Sequence, residues 1–264
     1  MKVLCYVNHY FGRSMGWEGL AQPRSTTGDD AHRRPIVAAC LESLRALPGS
    51  EVTVCGIAGN ALEPLDIDFS QTLTDHRMLV FESLAHMARR VDDYDYFIST
   101  EDDILMPSET FANVVAFDQE SLVNEILHPN RIEEDDAGRM YCVDLKAIRG
   151  WTYQRRTYHG REIRVALNPH SAVLILSREK LRYALRYIDV TYRGRYIASP
   201  TESALAYYLS PFSLFRPYED LGFHTVTHLD RYLDRTAQPK SPRWRTVVRE
   251  VTPPVLLPDR WRKR

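Results

Sequence analysis

Asp95-Tyr96-Phe97-Ile98-Ser99-Thr100-Glu101-Asp102-Asp103-Ile104-Leu105-Met106-Pro107 is the stretch on which the reading of this chain turns. An apolar, β-branched and aromatic run stops at three consecutive acids, and three apolar residues, a proline and a polar segment able to start a helix follow. Buried strands of α/β enzymes look like the first part, and their carboxyl ends are where ligands bind. Three adjacent carboxylates there repel one another and lose hydration. They call for a positive partner, and a hard divalent cation is the expected one.

The segments upstream supply the sheet around that strand. Val3 to Val7 reads as a buried first strand closing on Asn8-His9-Tyr10. Residues 11–31, rich in Gly, Arg, Ser, Thr and Asp, read as a long loop, and such loops in compact domains are usually functional or mobile. From Pro35 to Leu47 the apolar positions Ile36, Val37, Ala39, Cys40, Leu44 and Leu47 recur at helical spacing, and Pro48-Gly49 stops the helix. A strand over Glu51 to Ile57, a weak extended segment near Phe69 to Leu73 and a helix from about Asp75 to Val91 lead into the opening strand. That alternation predicts an α/β fold with a mixed, mostly parallel sheet flanked by helices. Asn8-His9 and the acidic triplet then stand at carboxyl ends that share one crevice.

Downstream, a helix is predicted from Pro107 to about Phe117, a polar loop over 128–139 and a short strand over Tyr141 to Leu145. Trp151 to Tyr158 and Arg161 to Leu167 flank His159-Gly160 as a β-hairpin. A strand over Ser171 to Leu176 follows, then helices over Arg178 to Tyr187 and from Ser199-Pro200-Thr201-Glu202 through Leu209, and a short strand over Phe212 to Phe215. Gly222 to Asp234 carries His224 and His228. From Ala237 the chain is basic and Pro-rich but holds Trp244, Val255, Leu256 and Trp261, so it is expected to wrap the domain or a partner subunit.

Composition restricts the function classes. The chain has 264 residues, 44% hydrophobic and 26% charged, with a net charge of −1, which is ordinary for a soluble globular protein and unlike a general nucleic-acid binder. Cys5, Cys40, Cys55 and Cys142 match no CxxC spacing and read as small buried hydrophobes. The first residues turn polar too soon for a signal peptide, and no apolar run approaches the ~20 residues of a transmembrane helix. The cytoplasm is the expected location, with peripheral membrane contact through the basic extension as a variant of it.

With the acidic triplet ending its fourth strand, residues 1–235 resemble a GT-A glycosyltransferase. Tyr96 to Pro107 is similar to the Glu-Asp-Asp version of the family's Asp-any-Asp motif. The resemblance implies a nucleotide-diphosphate sugar donor, Mn²⁺ or Mg²⁺ as cofactor, and transfer of the sugar to a carbohydrate or glycolipid-type acceptor hydroxyl. It implies a catalytic domain over 1–236, with a nucleotide-sugar half (1–106) and an acceptor half (107–236), and an extension over 237–264 that can join homo-oligomers.

The same resemblance assigns roles. Asp103 would contact the metal directly, Glu101 through metal-bound water or the donor ribose, and Asp102 would meet the sugar or ribose. A late histidine, His224 or His228, would complete the metal shell. Glu202 at a helix start would be the base of an inverting reaction, although Ser199-Pro200-Thr201-Glu202 is equally a helix-capping sequence; Asp189, Glu219 and Asp220 stand in reserve. Asn8, His9 and Arg13 after the first strand, and Asp75, His76 and Arg77 at a helix start, would face the nucleotide. Arg24, Arg33 and Arg34 are further candidates for the pyrophosphate. Trp151, Tyr153 and His170 would line the acceptor face, because sugars stack on aromatic rings; packing of the hairpin on the core is the equal alternative. Competing functions are a retaining enzyme of the same fold, a sugar-phosphate nucleotidyltransferase, and a non-catalytic glycan- or nucleotide-binding module. Asn8-His9-Tyr10-Phe11-Gly12-Arg13 lacks the repeated glycines of the second.

Overall fold

A computed structural model describes residues 1–11, 30–73, 78–142, 151–193, 200–230 and 255–256. The first sheet joins β1 (Val3–Asn8), β2 (Ser50–Gly56), β3 (Ile67–Asp68), β4 (Tyr96–Glu101) and β11 (Val173–Ser177) in the order β11-β4-β1-β2-β3. β1 runs parallel to β2 and to β4, β2 runs parallel to β3, and β11 closes the β4 edge antiparallel.

Side-chain alternation decides which helix covers which face. Leu4 and Tyr6 of β1 point into one core with Phe97, Leu174 and Leu176; Val3, Cys5 and Val7 point into another with Ile98, Val173 and Ile175. The first core is covered by α2 (Leu79–Ala88), α4 (Arg178–Ala184) and α5 (Pro200–Leu209), through Phe81, Leu84, Leu181, Leu205 and Tyr208. The second is covered by α1 (Asp30–Arg45) and α3 (Ser108–Asp118), through Val37, Cys40, Leu41, Leu44, Phe111 and Val114. The sheet is therefore apolar on both sides, as its near-continuous hydrophobic strands require. All four cysteines are buried free thiols, and burial pushes that of Cys5 up to about 12.

The later chain builds two further sheets. One orders β6 (Glu125–Leu127), β12 (Ser213–Pro217), β10 (Arg161–Ala166) and β9 (Trp151–Tyr158) as β6-β12-β10-β9. The other orders β5 (Ile104–Leu105), β7 (Asn130–Glu134), β8 (Met140–Cys142), β13 (Thr225–His228) and β14 (Val255–Leu256) as β14-β8-β7-β13-β5. β9 and β10 form the expected hairpin. Its two-residue turn has φ of 48° at His159 and 72° at Gly160, the positive values that match a turn to strand twist. β14 pairs antiparallel with β8, so the extension returns to its own domain at that point.

Three expectations need correction. The first helix begins at Asp30, five residues before Pro35, so Arg33 is helical and not part of a loop. The third strand is Ile67–Asp68, while Phe69 to Leu73 turns back on itself through bonds from the Thr72 and Leu73 amides to the Phe69 carbonyl. Residues 128–139 are not a loop throughout: β7 runs parallel to β13, with Ile132 beside Thr227. Among the described residues no helix is long and apolar enough to cross a membrane.

Candidate functional site

Parallel register brings Asn8, the last residue of β1, beside Glu101, the last of β4. The chain then turns through Asp102 and Asp103 into β5, which pairs antiparallel with β13 so that Ile104 stands opposite His228. The Leu229 amide donates to the Asp103 carbonyl at 2.8 Å and fixes that turn. Two backbone ladders thus carry a residue from position 8 and one from position 228 to the same three acids.

Asp102 is clamped on both oxygens. His9 Nδ1 lies 2.6 Å from Oδ2, and the Arg33 guanidinium donates to Oδ1. The other ring nitrogen of His9, Nε2, accepts the Leu62 amide at 2.7 Å, so Nδ1 carries the hydrogen and donates it to Asp102. His9 is fully buried. Its ring bridges the Leu62 amide and Asp102. Asn8 is similarly engaged: its amide donates to Ser99 Oγ and the Thr100 carbonyl, each at 3.0 Å, and its carbonyl accepts from Ser83. It holds β1 to β4 below the acids.

Asp103 faces the charged side of the cluster. Arg33 Nη1 donates to its Oδ2 at 3.2 Å and to Asp230 Oδ2 at 3.1 Å. His228 Nε2 lies 3.4 Å from the same Asp103 oxygen, and His228 Nδ1 donates to Glu133 Oε1 at 2.6 Å. The remaining Asp103 oxygen, Oδ1, is buried and without a hydrogen-bond partner. Burial alone would raise the Asp103 pKa, but His228, Arg33 and Arg131 outweigh it and hold the carboxyl well below its usual range. Burial would likewise lower His228, yet Asp103 and Glu133 lift it to about 9. Glu101 goes the other way: burial, then the Asp103 charge, raise it to about 7.

These directions follow from local charge. Among the described residues, the carboxylates of Glu101, Asp102, Asp103, Glu133 and Asp230 meet Arg33, Arg131 and His228 as cations. Acids are in excess, and Glu101 relieves the excess by keeping a proton to about neutral pH.

A hard divalent cation fits this donor set in part. Asp103 offers an oxygen without a partner, and His228 directs Nε2 at the same carboxylate while a buried acid holds Nδ1, the support that metal-bound imidazoles usually have. No group of three His, Cys, Asp or Glu side chains is already arranged as a metal shell among the described residues. Mg²⁺-type ions commonly take one or two protein groups and complete their shell with water and substrate phosphate.

The other predicted residues fall elsewhere. His224 precedes β13, is fully buried, donates Nε2–H to the Leu127 carbonyl at 3.3 Å and is pushed down to about 3, chiefly by burial. Of the two histidines only His228 is paired with the triplet. Trp151 is half-buried and packs edge-on against Tyr218 at 5.1 Å, whereas Tyr153 is fully exposed on β9. His170 is half-buried, and its carbonyl accepts from Arg216 at 2.7 Å. Glu202 lies in the first turn of α5, with its side chain outside the described residues, as are Arg13, Arg24, Asp75, His76 and Arg77 altogether. Sequence reasoning missed Glu133 and Asp230, and it gave Arg33 no contact with the acids. No sequence pattern pointed to Glu133, because Ile132 is the only apolar residue of β7.

A pocket of about 660 Å³ opens at the opposite, amino end of β4, between Asp118 and Arg178, Arg182 and Arg186. Arg178 pairs with Asp95, Arg182 with Asp92 and Lys180 with Asp118, so most of its charge is internally matched. The acidic end of β4 remains the candidate site.

No protein-family model matches the chain, and no curated protein matches it. Among solved structures it is similar to A197 from STIV, at 13% identity and a TM-score of 0.34, over 82% of this chain and 81% of that one. It is also similar to a glycosyltransferase involved in the glycosylation of the major capsid of PBCV-1, at 12% identity and a TM-score of 0.31, over 82% and 93% respectively.

Proposed function

We propose that this protein is a metal-dependent glycosyltransferase of the GT-A type, moving a sugar from a nucleotide-diphosphate donor to an acceptor hydroxyl, with inversion if Glu202 is its base. The observation that carries the reading is the acidic triplet at the carboxyl end of β4, next to the end of β1, with His228 delivered to Asp103 by β13. That is where an open α/β sheet binds its ligand.

In this reading Asp103 and His228 hold Mn²⁺ or Mg²⁺, and Glu101 acts from the adjoining position. The bound cation would neutralise charge on the diphosphate leaving group. Asp102, whose two oxygens are held by His9 and Arg33, would meet the donor's sugar or ribose once Arg33 releases it. The acceptor oxygen attacks the anomeric carbon, the bond to the diphosphate breaks with its electron pair leaving on the nucleotide, and Glu202 takes the hydroxyl proton. Tyr153, exposed on the edge strand β9, offers a ring for an acceptor sugar.

The test is nucleotide release from UDP- and GDP-sugars with Mn²⁺. Turnover or slow hydrolysis with at least one donor is expected, falling by roughly a hundredfold or more in Asp103→Asn. Absence of both binding and hydrolysis across the donors defeats the proposal.

A further inference from the structure

Arg33 occupies the position that a bound cation would contest. Its guanidinium holds Asp102 Oδ1, Asp103 Oδ2 at 3.2 Å and Asp230 Oδ2 at 3.1 Å. Only 6% of the residue is exposed. One guanidinium therefore satisfies one oxygen on each of three acids, two of them in the triplet, and leaves Asp103 Oδ1 unpartnered.

We propose that Arg33 is the resident counter-cation of the free site, and that it exchanges with a divalent cation when donor binds, its guanidinium then pairing with the donor's diphosphate. This rests on the reading of the site as a metal-dependent donor site. Arg33 and His228 already share one Asp103 oxygen, at 3.2 and 3.4 Å, so a divalent ion arriving there adds a third source of positive charge and its repulsion falls on Arg33. Arginine is suited to leave: its stem is long, and its planar fork matches phosphate oxygens as well as carboxylate ones. The backbone need not move with it. Arg33 is in the first turn of α1, whereas Val37, Cys40, Leu41 and Leu44 anchor the rest of that helix in the core. Removing the guanidinium from Asp103 also exposes the oxygen that lies toward His228 Nε2, so exchange frees two ligands of one ion together. The alternative is a permanent lock, in which Arg33 stays on the acids and no divalent ion enters.

The experiment measures Mn²⁺ affinity of the full chain by electron paramagnetic resonance of free Mn²⁺, for the wild type and for Arg33→Met. Near-ultraviolet circular dichroism checks the fold, and calorimetry follows UDP and GDP binding with Mn²⁺ present. Exchange predicts that Arg33→Met binds Mn²⁺ about tenfold more tightly, because its competitor is gone. It also predicts that the same variant binds nucleoside diphosphate about tenfold more weakly, because a charge-assisted contact is lost. If the wild type binds Mn²⁺ but Arg33→Met binds it equally or less well, exchange is overturned while the metal-dependent reading stands. If neither binds Mn²⁺, the metal-dependent reading falls and exchange falls with it. Should Arg33→Met fail to fold, Arg33→Gln keeps hydrogen bonds to the acids without the charge, and the same two shifts decide.

Discussion

His228 sits between Asp103 and Glu133, and this makes its protonation part of the fold's stability. Its pKa rises from 6.5 to about 9 because two carboxylates outweigh its burial. The folded state thus binds the proton more tightly than the unfolded chain. The resulting stabilisation is fully present below about pH 6.5 and is lost as pH rises through about 9. Glu101, raised from 4.5 to about 7, acts in the same direction over its own window. Asp103 has the opposite sign: its contribution is present above its ordinary value of 3.8 and fades in acid. In chelator, stability should therefore fall between pH 6 and 9 by on the order of 2 kcal/mol, seen as a decline of roughly 4–8 °C in Tm. His228→Gln should flatten that alkaline limb; a wild-type Tm unchanged between pH 6 and 9 would contradict the assignment. Asp103 was a candidate as part of an acidic triplet at a strand end, whereas its direct metal role and His228 came from what the resemblance to GT-A glycosyltransferases implied. Arg33 was named only as a distant phosphate ligand, because its pairing depends on a helix start that Pro35 disguised.

At the scale of elements, the site depends on how closely β1 and β2 approach at their carboxyl ends. Gly56 ends β2, and a Cβ there would lie 2.7 Å from the His9 carbonyl oxygen and 2.6 Å from Leu65 Cδ2. Backbone cannot yield as a flexible side chain can. Gly56→Ala should destabilise by about 1–3 kcal/mol and displace His9, loosening its hold on Asp102. Gly59→Ala is the control: its φ is +80°, but nothing lies within 4 Å of an added Cβ. It should cost only about 1–2 kcal/mol of backbone strain and leave nucleotide release unchanged. Urea denaturation together with nucleotide release separates them, and equal losses of activity in both would remove His9 from the explanation. Elements with strong local chemistry were readable: the apolar core strands, and the hairpin whose His159-Gly160 turn fits positive φ. β7 was missed because Asn130, Arg131, Glu133 and Glu134 surround Ile132, and polar strands look like loops when pairing rather than hydrophobicity specifies them.

For the whole molecule, sequence order and spatial order first part at β4, which pairs with β1 and not with β3, and part further after Pro107. The alternation of strands and helices before it predicts parallel pairing, and β1, β2, β3 and β4 do pair in parallel. β11 then returns from residue 173 to cover the open edge of β4, and β13 returns from residue 225 to bring His228 to β5. Those pairings span long stretches of chain, and no local pattern announces them. They also bear on whether the first 106 residues can stand alone. Without the later chain, β4 loses its β11 neighbour, and the core around Leu4, Tyr6 and Phe97 loses Leu181, Leu205, Tyr208 and Leu209. The opposite core loses Phe111, Val114, Val173 and Ile175. Each buried aliphatic or aromatic side chain contributes about 1.5–3 kcal/mol, and the net stability of a domain is only about 5–15 kcal/mol, so the losses exceed the margin. A fragment of residues 1–106 should therefore show no near-ultraviolet dichroism and no cooperative thermal transition, while the full chain shows both. It should also fail to bind Mn²⁺, since His228 is absent. A cooperative transition in the fragment would mean that the β1–β4 sheet is stable without its antiparallel edge, and that the two halves unite only to complete the acidic site.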